Sequence, residues 1–232
     1  MSPISQGITF IYFNSTVVTM TDKNLFSPVQ NIMLFNTLIK LSGFAKFSLI
    51  VGSYSAFFSA VAIVTPLSGA FGGIAGCFCV FGMSLLIKAL LVGFMPLYFL
   101  AYHIPGLFAS LYWATQSKAV RIAPAVICMA LFLTHPVGAS AALYSLFWLI
   151  PVYTTFFGKD TIFTRALGST FTAHAVGSVI WLYTVPMNSD YWLMLIPLVV
   201  IERALFTIGM VATYKALFWV CTRSIVPVKK VA

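Results

Sequence analysis

One acid stands inside a long apolar run. Glu202 follows Trp192–Ile201 in a stretch able to cross a bilayer as a helix, and it falls near mid-depth. An ionised side chain at that depth costs roughly 2.5–3.5 kcal/mol on insertion scales, so such residues face a bundle interior and pair with something. Its neighbour Arg203 projects about 100° away around a helix, so the two need not pair with each other. Glu202 then has two readings: a contact for a ligand or a relay for a proton or cation, or an anchor between helices through an ion pair or hydrogen bond.

A second polar feature lies on the preceding apolar segment, Phe163–Thr184. Thr170, His174, Gly177/Ser178 and Trp181 recur at i, i+4, i+7/i+8 and i+11, which places them on one helical face. A lipid-facing surface would not combine Thr, His and Ser. The stripe either lines a polar solute site or supplies hydrogen bonds between helices, at about 0.6 kcal/mol each. With Glu202 and His135 these residues, Thr170, His174, Ser178 and Trp181, form the candidate ligand-binding set. His103, His135 and His174 would need to converge to hold a transition metal. No carboxylate or cysteine has the local spacing to join them, and turn capping accounts for His103 and His135, so no metal is expected. Cys77 and Cys79 point apart on a helix, which speaks against a disulfide or metal site. There is no P-loop, G-x-S-x-G, H-E-x-x-H or paired-carboxylate motif. No catalytic residue, enzyme activity or cofactor is implied, and the chain cannot itself be an ATP-driven motor.

These residues need helices to position them, and composition says what kind. The chain is 61% hydrophobic and 7% charged, against about 25% charged in soluble domains. Its apolar runs are long and continuous, not alternating as barrel strands require, so an all-α transmembrane bundle is expected. The formal charge of +9 fits cytoplasmic loops better than nucleic acid, which is not expected as a partner.

Basic residues punctuate the chain at Lys40/Lys46, Lys88, Lys118/Arg121, Lys159/Arg165 and Lys215/Arg223/Lys229/Lys230. If all face the cytoplasm, the intervals between them are hairpins that leave and return. The predicted spans are Phe47–Thr65 and Gly69–Ile87, Ile122–Leu133 and Ala139–Phe157, Phe163–Thr184 and Tyr191–Tyr214. Residues 89–117, with Pro96, Pro105 and Gly106, read as two short or re-entrant helices or one kinked helix. This predicts about six full spans within a transmembrane domain at 46–220. It leaves an N-terminal cytoplasmic or interfacial tail at 1–45, a basic C-terminal tail at 221–232 and both ends cytoplasmic. No signal peptide is apparent, and the expected location is an inner or plasma membrane.

Small residues cluster in the first hairpin. Gly69/Gly73 and Gly72/Gly76 make overlapping G-x-x-x-G patterns, and Ala56 and Ala60 an A-x-x-x-A, spacings that let helices approach closely. They serve internal packing or docking of another membrane subunit. Trp113, Trp148, Trp181, Trp192 and Trp219 read mostly as interface anchors, with one or two able to stack on a flat ligand.

The size, the helix count, Ala56-x-x-x-Ala60, the Gly-rich second span and Ile201-Glu202-Arg203 together resemble the substrate-binding S components of energy-coupling factor vitamin transporters. That resemblance implies docking on a transmembrane coupling subunit with ATPases through Ala56 and Ala60. It also implies capture of a small-molecule, vitamin-like solute in a cavity near the outer face. Two other functions fit the residues: a stand-alone ion- or proton-coupled carrier or channel with Glu202 as relay, and a membrane scaffold with no solute.

Overall fold

The computed structural model describes residues 28–47, 58–92 and 97–225. In chain order these are α1 (Pro28–Ser42), a short antiparallel ladder of β1 (Lys46–Phe47) and β2 (Phe58–Ser59), and α2 (Val61–Val64). Next come α3 (Leu67–Val92), α4 (Leu97–Ala114), α5 (Lys118–Thr134), α6 (Pro136–Ser140) and α7 (Ala142–Ser145). A 3₁₀ turn at Leu146–Trp148 leads into α8 (Leu149–Phe156), α9 (Ile162–Thr184), α10 (Ser189–Met194) and α11 (Ile196–Ile225). Apart from the ladder the fold is all-helical.

α9 is the hub, packed against α4, α5, α8 and α11. A reciprocal cap starts it: Thr164 N–H donates to Thr161 Oγ1 at 3.2 Å, and Thr161 N–H donates to Thr164 Oγ1 at 2.9 Å, satisfying two donors that the first turn leaves over. Against α4 the approach is close. Gly168 lies under Tyr112, where a Cβ would collide with the phenol. Ser169 donates to the Ala109 carbonyl at 3.0 Å, and Gly177 faces Pro105. This pairing of rising with falling residue numbers makes α4 and α9 antiparallel. The Tyr112 hydroxyl also shares hydrogen bonds with the Thr154 and Thr155 hydroxyls, both at 2.9 Å, which joins α8 to the pair.

Several of the predicted segments are helices, and several are not continuous ones. Phe163–Thr184 is α9, Ile122–Leu133 lies in α5, and Tyr191–Tyr214 is α10 with most of α11. Phe47–Thr65 is no continuous helix: its described parts are strand residues and the single turn α2. Ala60 N–H donates to the Ala45 carbonyl at 3.1 Å, so the cross-strand bond takes the donor that a helix would use. Ala60 thus lies between β2 and α2 and not within a helical span, and Ala56 lies outside the described residues. Ala139–Phe157 is broken into α6, α7, the 3₁₀ turn and α8. Pro151 explains the later break, since it has no N–H for the Phe147 carbonyl and its ring crowds that group. It is tolerated in the first turn of α8, where donors are unpaired anyway.

α3 bends at Gly73, whose φ of +59° is a conformation glycine adopts without a Cβ penalty. The two G-x-x-x-G patterns consequently do not share one face. Gly69 abuts the Ser110 backbone, while Gly72 and Gly76 hold Asn31 of α1. Residues 89–117 contain the end of α3 and the single helix α4 with Pro105 inside it. α1, placed by the sequence in a tail, buries Phe35 completely against Phe71 of α3. At the other end α11 runs on to Ile225.

Two helices are long and apolar enough to cross a membrane, over Leu67–Leu91 and Ile196–Thr222; six such spans are not found among the described residues. Only 17% and 33% of their apolar windows is buried, so Phe78, Leu86, Leu90, Leu205 and Ile208 face outward. An exposed apolar surface of this kind suits lipid or a partner, not water.

One end of the bundle is basic. Arg165 grips Asp160 with both Nε (2.8 Å) and Nη2 (2.5 Å) and donates from Nη1 to the Trp113 carbonyl at 2.8 Å. Arg121 reaches the same carboxylate at 3.4 Å and donates from Nε to the Thr115 carbonyl at 2.9 Å. The cluster ties the end of α4 to the starts of α5 and α9, with Lys118 and Lys159 beside it. Lys88 does not join them. Ser68 bonds Ser110 at 3.2 Å, and α3 then runs antiparallel to α4, bringing Lys88 within electrostatic reach of His103 in the other half of that helix. The single basic boundary expected from the sequence is thus broken at Lys88.

Replacing Gly168 with Ala forces Tyr112 away from Thr154 and Thr155. Overpacking of this sort costs about 1–3 kcal/mol, or roughly 3–10 °C in a chain of this size. A detergent thermal melt should show that drop for G168A and a smaller one when the change is made in a Tyr112→Phe background; an unchanged midpoint for G168A would contradict the close α4–α9 contact. Asp160 gives a pH test. Burial raises its carboxyl, but the hydrogen bonds and charges of Arg165 and Arg121 outweigh burial and hold it below the ordinary 3.8. A lowered carboxyl stabilises the fold above its unfolded value and loses that contribution as pH falls. The melt midpoint should fall below about pH 4, and Asp160→Asn should start lower at pH 7 and lack that step.

Candidate functional site

α11 presents Glu202 and Arg203 to α9, and both are buried. They pair after all, Arg203 Nη2 to Glu202 Oε1 at 2.6 Å. Their Cβ directions differ, but both side chains are long, and an unpaired charge in apolar surroundings costs several kcal/mol. The pair closes without net charge. Arg203 Nη1 also donates to the carbonyl and the hydroxyl of Thr170, both at 3.3 Å, and its guanidinium stacks over Phe206 at 4.8 Å.

One and two turns beyond Thr170 on α9 lie His174 and Ser178, also buried. Ser178 Oγ meets the Tyr144 hydroxyl at 3.3 Å, and the His174 ring lies 5.3 Å from the Tyr144 ring. Tyr144 is the centre of an aromatic cluster. Trp192 sits 5.0 Å and Trp148 6.3 Å from it, ring centre to ring centre, and Phe132 contacts all three. Most of these contacts are edge-to-face, the preferred geometry for rings with opposite edge and face polarity. The Glu202–Arg203 pair lies within electrostatic reach of Tyr144, and Arg203 within reach of His174.

Hydrogen bonding here is incomplete. Trp148 Nε1, Trp192 Nε1, His174 Nε2 and Arg203 Nε are buried and have no protein partner. Each such group costs about 1–3 kcal/mol if left unpaired, and most buried polar atoms in folded proteins are satisfied. Four additional ones are spread elsewhere among the described residues, at Asn31, Thr65, His103 and Trp113.

An open cleft of about 690 Å³ lies above the cluster, lined by His135, Val137, Leu182, Tyr183, Met187 and Asn188 among others. Leu182 belongs to the aromatic core, and Val137 and Met187 pack against it, so one apolar layer separates cleft from cluster. The cleft is at the end of α5 and α9 opposite the Arg121–Arg165–Asp160 group. His135 lines it, accepts the Val137 N–H through Nδ1 at 3.3 Å, and meets Tyr183 edge-on at 5.2 Å. A smaller cavity of about 30 Å³, next to His103, Thr65, Ser84 and Ser110, lies between α3 and α4.

The structure thus brings Thr170, His174, Ser178 and Glu202 together, and puts His135 in the cleft above them. Trp181 is 39% exposed: near the end of α9 the buried sector has narrowed to Leu182, so Trp181 leaves the stripe. The three histidines occupy three separate places. Tyr144, Trp148, Trp192 and Phe132 were not in the candidate set. Trp113, Trp148 and Trp192 are fully buried, not interface anchors, whereas Trp219 is exposed. The i, i+4 spacing of Tyr144 and Trp148 is the signal that could have found their shared inward face. No protein-family model matches the chain, and neither does any curated protein or solved structure.

Breaking the ion pair on one side leaves a buried charge, which costs about 3–5 kcal/mol, while removing both charges is far better tolerated. Glu202→Gln should therefore lower the detergent melt midpoint more than the double change Glu202→Leu/Arg203→Leu. Equal losses would mean that the pair is solvated.

Proposed function

We propose that this chain is a multi-pass membrane protein, a helix bundle of about six crossings, and the solute-binding subunit of an uptake system for a small, vitamin-like molecule. One observation carries the reading: three unpartnered buried nitrogens, on Trp148, Trp192 and His174, belong to one aromatic cluster, and a fourth, on Arg203, belongs to the buried ion pair within electrostatic reach of it. A scaffold protein gains nothing by leaving these groups unpaired in one place, whereas a binding protein satisfies them with its solute. The cleft supports this reading, because it lies one apolar layer from the cluster, at the end away from Arg121, Arg165, Lys118 and Lys159. With that basic end cytoplasmic, the cleft opens outward, where uptake begins.

In this reading Thr170 and Glu202 hold Arg203, Ser178 holds Tyr144, and the rings shape the site. His135 and Tyr183 line the approach. With no ATP-binding motif, the chain takes its energy from a partner, a transmembrane coupling subunit with ATPases. The relay reading of Glu202 is less well supported: a carboxylate fixed to Arg203 at 2.6 Å is poorly placed to exchange protons.

The test is to purify the chain alone in mild detergent, denature it and search the extract by mass spectrometry. A small molecule should be recovered near one per chain from the native protein and be depleted in His174→Ala. Recovery of none, together with proton or ion flux in vesicles holding this chain alone, would replace the capture reading with the carrier one.

A further inference from the structure

The smaller cavity, between α3 and α4, lies outside the site described above. Its volume is about 30 Å³, and Thr65, Ser68, Cys77, Ser84, His103 and Ser110 line it together with apolar side chains. Two of these residues each bury a polar atom that has no protein partner, Thr65 Oγ1 and His103 Nε2. They come from different elements: Thr65 from the turn between α2 and α3, His103 from α4. The two elements are in close contact, since a Cβ at Gly106, one turn along α4 from His103, would crowd Thr65 Cγ2.

The remaining polar groups have committed their hydrogens. Ser68 Oγ donates to the Thr65 carbonyl at 2.8 Å, and Ser84 Oγ donates to Asn36 Oδ1 at 2.8 Å. Ser110 Oγ shares its hydrogen between the carbonyls of Thr65 and Gly106, both at 2.8 Å. The Cys77 thiol donates to the Gly73 carbonyl at 3.2 Å. A hydroxyl has one hydrogen and two lone pairs, so the serine oxygens offer only acceptors to a further partner. Thr65 Oγ1 donates or accepts, and His103 Nε2 does either according to its tautomer. An occupant must therefore donate to hydroxyl oxygens and also serve two groups that act both ways.

Charge and size narrow it further. No acidic residue lines the cavity, and Lys88 is within electrostatic reach of His103, so a cation would be buried without a counter-charge. His103 and Cys77 are the soft ligands there, short of the four-coordinate set that a structural metal site uses. A dry void conflicts with the lining. Empty cavities in proteins are apolar, whereas a polar one with at least about 10–15 Å³ of room and two to four partners holds water.

We infer that this cavity is a hydration site, in which one or two water molecules bridge Thr65 Oγ1 and His103 Nε2 and donate to the serine oxygens. The water is a structural part of the bundle: beside the direct Ser110–Thr65 bond it makes a second link from α4 to the α2–α3 turn. The site is independent of solute capture, which concerns α9, α11 and the aromatic cluster.

The experiment uses the full chain in lipid bilayers, isotope-labelled at the histidine nitrogens, with solid-state NMR transfer of magnetisation from water protons to the imidazoles. The chain has three histidines, and His103→Gln identifies the relevant signal. His103 Nε2 should receive water magnetisation in the native chain. It should lose it in Val80→Ile, which adds a methylene to a buried residue of the cavity wall. Thermal melts supply the second arm. Thr65→Val keeps the side-chain shape and deletes the hydroxyl. It should lower the native midpoint by about 2–4 °C and have no such effect in a Val80→Ile background, where the water is already displaced. Val61→Ile, on the same wall, replaces Val80→Ile if that variant does not fold. A native chain without water transfer to His103, in which Val80→Ile melts higher, has a dry cavity and overturns the inference. A stoichiometric metal ion that co-purifies and is lost in His103→Gln also overturns it, as does a Thr65→Val loss of equal size in both backgrounds.

Discussion

A polar side chain inside this bundle has no water to fall back on. With charged residues rare and the two longest apolar helices turned mostly outward, each buried donor must find its acceptor within the chain. Nearly every contact that orders the fold follows from that constraint. Ser169 bonds the Ala109 carbonyl, Ser110 the Thr65 carbonyl, and Tyr112 reaches Thr154 and Thr155. Glycine where α9 meets Tyr112 is the steric counterpart, since a polar contact between helices needs their backbones close.

Charges obey the same rule in two ways. At the basic end, two buried arginines share the half-exposed Asp160, and the carbonyls of Trp113 and Thr115 and the Gln116 side chain accept further donors from them. That arrangement carries net positive charge and sits where solvent can screen it. Glu202 and Arg203, between α9 and α11, instead cancel one another and hold Thr170. The first acts as a clamp across three helix ends. The second is a clamp too, between α9 and α11, but its guanidinium keeps one buried nitrogen, Nε, without a protein partner.

Part of this was legible in the sequence. Composition declared an all-helical, lipid-suited chain, and period 3.6 placed Thr170, His174 and Ser178 on a buried face of α9. Three things were hidden. The ladder at β1 and β2 depends on pairing across a gap in sequence, which hydropathy does not report. Pro151 and Gly73 interrupt apolar runs that look continuous, because an average over the run dilutes a single backbone exception. The Glu202–Arg203 pair was missed because helical geometry fixes where Cβ points, not how far a long side chain bends to avoid an unpaired charge.

The interrupted segment at 139–157 bears directly on the site. Despite its breaks it keeps helical periodicity: Tyr144, Trp148, Pro151 and Thr155, at i, i+4, i+7 and i+11, are buried along one face, while Tyr153, Phe156 and Phe157 face outward. Tyr144 and Trp148 thus turn inward together, 2% and 0% exposed. Trp192 meets them from α10, a short helix capped by Asn188. This segment thus supplies two of the rings, and α9 and α11 supply His174 and Arg203. Irregular segments at membrane depth are tolerated where protein buries them or where they line a cavity. Residues 142–156 fall short of a membrane-spanning length but carry two of the three central rings and one of the unpaired indoles, which is why the binding reading starts from α7 and α8 and not from the polar stripe alone.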